Sequence, residues 1–122
     1  MISEESFIHT FIVRNRRGRL LYELADPKKR HAALDRFCHS SADLLDPKHI
    51  VCTVRSFKEI PAEFLNQEEC VILSPDPSFD QKKMTFAQAL EEADLCFDAM
   101  ILLSMPYCAV KEESPGNIFL LK

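Results

Sequence analysis

Arginine and lysine crowd one short stretch of this chain. Between Arg14 and Arg36 stand eight of them (Arg14, Arg16, Arg17, Arg19, Lys28, Lys29, Arg30 and Arg36) against Glu23, Asp26 and Asp35, a local charge of +5. Guanidinium forks match the paired oxygens of phosphate and carboxylate, and a clustered basic face is the expected electrostatic footprint of nucleic-acid binding. Arg16, Arg17 and Arg19 are the candidates for directed pairs; Lys28, Lys29 and Arg36 add attraction from the following helix. The plainer account is a solvated helix surface with acidic neighbours, and the acidity of the whole chain speaks for it. No Gly-rich phosphate loop and no aromatic stacking motif accompanies the cluster.

Other chemistry-bearing residues are weaker candidates. Cys38 and His39 offer a thiol beside a possible base. Neighbours on a helix point about 100° apart, however, so they do not form a bonded pair by themselves. Cys38 also falls on an apolar stripe, where a buried structural thiol is the expectation. His9, His31, His39 and His49 are scattered, and no two have the i, i+4 spacing of a helical zinc site; no metal and no cofactor is expected. Asp76 to Asp80 imitates the start of a calcium loop but has Gln81 where that loop needs glycine and Ala87 where it needs glutamate. A small enzyme would most naturally use this same loop, with Asp76 or Asp80 as acid or base and Ser74 orienting a substrate, because ligands in open sheets bind beyond the carboxyl ends of strands. Such residues are equally ordinary turn formers.

Charge is distributed unevenly. Residues 1–60 hold 11 Lys/Arg against 8 Asp/Glu, giving +3, and residues 61–122 hold 4 against 11, giving −7, in agreement with the net −4. With 47% hydrophobic and 28% charged residues, the composition is that of a globular protein rather than a disordered one, and 122 residues suffice for a single domain with its own core. The five cysteines (Cys38, Cys52, Cys70, Cys96 and Cys108) are odd in number and form no C-x-x-C pair, so they read as reduced thiols. The first residues, Met-Ile-Ser-Glu-Glu, lack the basic-then-apolar layout of a signal peptide, and no apolar run is long enough to span a bilayer. The expectation is a soluble cytoplasmic protein with no membrane partner.

The elements that position the basic cluster follow from spacing. Asp26 caps a helix opened by Pro27, and Leu34, Phe37, Cys38, Ser41 and Leu45 lie on its inner face until Pro47 stops it. Lys29, Arg36 and Asp43 point outward. Ser3 to Ala25 is read as a long helix bent at Asn15–Gly18, in preference to a hairpin turning there. Packed antiparallel through the turn at Asp26, these two helices need not bring Arg16, Arg17 and Arg19 near Lys28 and Lys29. Ile50–Val54, Cys70–Leu73, Ala99–Leu103, Tyr107–Lys111 and Ile118–Leu121 read as strands. Thr85 and Gln88 have capping-box spacing ahead of a helical stripe of Phe86, Ala89, Leu90, Ala93 and Phe97. Ser114-Pro115-Gly116-Asn117 is a turn, with Gly116 free to take positive φ.

The expected architecture is an α+β domain over residues 1–122, with an N-terminal helical pair on a mixed or mostly antiparallel sheet of about five strands and one further helix. The expected function is a non-enzymatic binding or regulatory module that contacts an anionic partner, a nucleic acid or an acidic protein surface, through Arg14–Arg36. The alternatives are a small enzyme at Ser74–Asp80 and a self-associating homo-oligomer in which the acidic half of one copy meets the basic half of another.

Overall fold

The computed structural model describes residues 2–122. Helix α1, Glu4–Phe11, is capped by Ser3, whose hydroxyl accepts the Ser6 N–H at 3.1 Å. Its partner α2 covers Arg17–Ala25. Asp26 then accepts the Lys28 N–H at 2.9 Å and Pro27 opens α3, Pro27–His39, as the cap residues require. A short α4, Ser41–Leu44, follows.

Both expected long helices are broken, and one contact joins the chain where α1 and α4 end. Ile12 and Leu45 form an isolated antiparallel bridge, flanked by Val13 N–H to the Leu44 carbonyl and Asp46 N–H to the Phe11 carbonyl, each at 2.8 Å. The N-terminal helix stops at Phe11, before the expected bend, and Arg14–Arg16 form a 3-10 turn. Gly18 lies in the first turn of α2 with nothing near it. The second helix ends at Ser40 rather than at Pro47. All five predicted inner residues, Leu34, Phe37, Cys38, Ser41 and Leu45, are nevertheless buried.

The sheet has six strands in the order β1-β6-β5-β4-β2-β3: β1 Ile50–Val54, β2 Glu69–Leu73, β3 Lys83–Thr85, β4 Met100–Leu103, β5 Cys108–Lys111 and β6 Ile118–Leu121. Every pairing is antiparallel, so the sheet is not mixed. The sixth strand, β3, is a three-residue edge that carries Lys83 and lacks an apolar run, which is how exposed edges are kept from pairing further. The further helix, α5, covers Phe86–Leu95 and opens with the Thr85–Gln88 capping box. Phe97 falls outside it and is 66% exposed, so it does not join the stripe. Gly116 adopts no positive φ. It is needed because a Cβ there would lie 2.8 Å from Glu112 Cβ.

Strand alternation divides the core into two clusters. Leu73, Ile101, Leu103, Val110 and Leu121 face α1 to α4, whereas Cys70, Ile72, Met100, Leu102 and Leu120 face α5. The sheet is thus covered on both sides, and α2 and α3 lie in the outer layer with one flank to solvent. Among the described residues Lys111 is the one buried charged residue. Its ammonium donates to the carbonyls of Cys96 at 2.7 Å and Asp98 at 2.9 Å, closing the chain just beyond α5, and burial lowers its pKa below 10.5.

Candidate functional site

The tight turn at Asp26 folds α3 back along α2, so that residues near the start of one helix sit beside residues near the end of the other. On α3, Lys29 and Arg36 are seven residues apart, two helical turns, and occupy one stripe. On α2, Arg19, Tyr22 and Glu23 share a face by their i, i+3, i+4 spacing. The two stripes border a continuous depression between the helices. At one end Arg16, Arg19 and Arg36 line an open groove of about 540 Å³ with Glu23 and Asp43. At the other, Lys28 and Lys29 join Arg19 and Arg36 around an adjoining cleft of about 560 Å³. Arg16 and the two lysines do lie at opposite ends, as the antiparallel packing requires, but Arg19 and Arg36 bridge the interval.

Glu23 organises the centre. Its carboxylate accepts from Arg19 Nε at 2.9 Å and from Arg36 Nη2. Partial burial pushes the carboxyl pKa up, and the hydrogen bonds and charges of Arg36 and Arg19 together more than reverse this, leaving it below 4.5. Both guanidiniums are thereby tethered to one carboxylate while their side chains stay largely exposed. Arg16, Lys28 and Lys29 make no ion pair among the described residues. With five cations against Glu23 and Asp43, the face carries +3, while the net charge of the chain is −4.

One predicted residue leaves this set. Arg17 is half-buried, and its Nε donates to the Ile12 carbonyl at 2.8 Å, capping the end of α1 where the chain breaks. Arg30 is also withdrawn from the basic cluster: it is clamped between Glu4 and Asp80 and faces the core side of α3. Tyr22 is the residue that sequence reasoning missed. It is 65% exposed within the second cleft, and the Lys29 ammonium lies 4.7 Å from its ring centroid. Its signal was the helical spacing itself, which places position 22 opposite Leu24 and beside Arg19.

The Ser74–Asp80 loop is internally committed. Asp80 receives Arg30 through both oxygens, and its Oδ1 also accepts the Ser74 N–H at 3.2 Å. Ser74 is buried, and its hydroxyl accepts from Asp76 N–H. Asp76 in turn accepts both the N–H and the hydroxyl of Ser78, which lower its pKa below 3.8. A carboxylate held ionised in this way is a poor proton donor near neutrality. Cys38 is buried, and its thiol is pushed up to about 12 by burial and by Asp35 and Glu113. His39 turns away, its Nδ1 against the Asp35 carbonyl at 2.7 Å and its Nε2 3.3 Å from Glu113. Among the described residues no three of His, Cys, Asp and Glu are grouped to hold a metal ion, and no helix is long and apolar enough to cross a membrane.

No protein-family description, no curated protein and no solved structure matches this chain.

Proposed function

We propose that this chain is a binding module that docks an anionic partner, a nucleic acid or an acidic protein surface, on the exposed α2–α3 face. The observation that supports this reading best is the alignment of Arg16, Arg19, Arg36, Lys28 and Lys29 along one depression, with Arg16, Lys28 and Lys29 free of carboxylate partners among the described residues. Charges separated by more than about 8–10 Å are screened at physiological salt. A ligand at this face therefore responds to the local +3 rather than to the acidity of the remote surface.

The test is salt-dependent binding of labelled RNA, duplex DNA and an acidic peptide, with an Arg16→Ala/Lys28→Ala/Lys29→Ala variant as control. Three phosphate contacts give a slope of log K against log salt of about −2 for a single strand and about −2.7 for a duplex. Affinity should fall about 20-fold and about 40-fold, respectively, for a fourfold rise in salt. The variant should lose binding at low salt. Retention of full affinity in the triple variant, or no polyanion binding at low salt, overturns the proposal.

A further inference from the structure

We propose that Tyr22 is a stacking platform for a nucleobase, which makes single-stranded nucleic acid the partner of the α2–α3 face. The inference rests on the anion-binding reading above and narrows it to one ligand class.

Tyr22 spends most of its ring in water, whereas its neighbours Leu20, Leu21 and Leu24 pack against the core. Nothing in the fold uses the ring as a packing element. Around it stand Arg19, Lys28, Lys29 and Arg36, the groups that would track a phosphate backbone, and the Lys29 ammonium already rests over its π-face. A positively charged groove with an aromatic ring inside it is the arrangement by which sequence-tolerant single-strand binders work, because every base has a π-face. The other anionic partners make poorer use of it. A duplex keeps its base faces stacked internally and presents only edges and phosphates. A carboxylate-rich peptide gains from the cations but is repelled by the negative face of the ring. The α2 helix, with nine residues, is about 13 Å long. At about 3.4 Å per phosphate of a stacked strand this accommodates about four nucleotides. When a base occupies the ring, the Lys29 ammonium is released to the adjacent phosphate.

The chain contains no tryptophan, so Tyr22→Trp places the only indole in the candidate site. The experiment measures anisotropy of a labelled single-stranded oligonucleotide, its duplex and an abasic oligomer of equal charge, at low salt, with wild type, Tyr22→Phe, Tyr22→Trp and Tyr22→Leu, all checked for folding by circular dichroism. Tyr22→Phe and Tyr22→Trp should bind the single strand as wild type does, and the indole emission should be quenched on binding. Tyr22→Leu should weaken it by about 5- to 150-fold, the worth of one base–aromatic stack, without altering the salt slope. The abasic oligomer should bind wild type as weakly as the intact strand binds Tyr22→Leu. Wild-type affinity in Tyr22→Leu, or duplex binding as tight as single-strand binding, overturns the stacking inference and leaves the anion-binding reading standing. Competition only by an acidic polypeptide does the same in favour of a protein partner. Absence of all polyanion binding removes both.

Discussion

Replacing Arg30 by methionine should destabilise the protein more than any other surface-layer charge deletion. One guanidinium joins three elements: it is bidentate to Glu4 of α1, at 2.6 and 3.0 Å, and bidentate to Asp80 of the β2–β3 loop, at 2.8 and 3.1 Å, while its own backbone belongs to α3. The side chains of Arg30, Asp80 and Glu4 are only 15%, 18% and 33% exposed. Both carboxylates raise the already high pKa of the guanidinium further, Asp80 more than Glu4. Its removal strands two carboxylates at short range with no cation. Breaking a buried pair in this way costs about 3–5 kcal/mol. Because Glu4 can take part of its charge into water, about 2–4 kcal/mol is expected here. For a chain of this size that corresponds to a fall in Tm of about 8–16 °C. Urea unfolding should show the midpoint displaced with an unchanged slope. The sharper check is the triple variant Arg30→Met/Glu4→Gln/Asp80→Asn, in which no charge is left unpaired and the amide oxygen at position 80 still accepts from the Ser74 N–H. It should regain at least half of the loss, since neutral replacement of a buried ion pair is commonly near neutral. A single variant that loses less than about 1 kcal/mol, or a triple as unstable as the single, refutes the assignment of this clamp as a desolvated charge network.

Three further outcomes follow from other groups. Glu23→Gln removes the carboxylate that neutralises Arg19 and Arg36, so polyanion affinity should rise and the salt slope should steepen by about 0.7 for a single strand; unchanged binding would place the ligand elsewhere. At pH 8 a thiol reagent should label the partly exposed Cys52 and Cys96 and spare Cys38, Cys70 and Cys108 until denaturant is added, because burial raises these three thiols to about 12, about 12 and about 11. The imidazole of His39 should titrate above 6.5 by NMR, held protonated by the Asp35 carbonyl and by the charges of Glu113 and Asp35, and Glu113→Gln should bring it down. Its folded pKa is the raised one. The stabilisation is therefore complete below 6.5 and disappears as the pH rises through the folded value.

Local signals in the sequence carried most of the architecture. Ser3, Asp26 and Thr85 announce their helices because capping is a contact within a few residues. Five strands are visible because they are buried on one or both faces and hence continuously apolar or β-branched. What was hidden depends on partners distant in sequence. The ends after Phe11 and after Leu44 coincide with the bridge between Ile12 and Leu45, 33 positions apart, where both residues leave helical geometry. Strand β3 has no apolar pattern because its one neighbour, β2, pairs with it at an open edge.

The same distinction explains why counting charges overstates the candidate site. The local +5 of Arg14–Arg36 treats every cation alike, yet their fates differ by helical phase. Arg30 stands four residues before Leu34 and seven before Phe37, on the buried stripe of α3, and a cation on that stripe must carry its own counter-ions inward, which Glu4 and Asp80 supply. Arg36 stands seven after Lys29 and faces α2 instead. Arg17 is spent on a backbone carbonyl that exists only because α1 ends early. Three cations, Arg16, Lys28 and Lys29, remain without an ion pair among the described residues, and the two lysines share a cleft with the exposed Tyr22 ring. On the proposed reading, the specificity of this face would owe less to the number of arginines than to the ring placed among them: at three free charges the electrostatic contribution is modest and salt-labile, and a base stacked on Tyr22 would add a contact that salt does not screen.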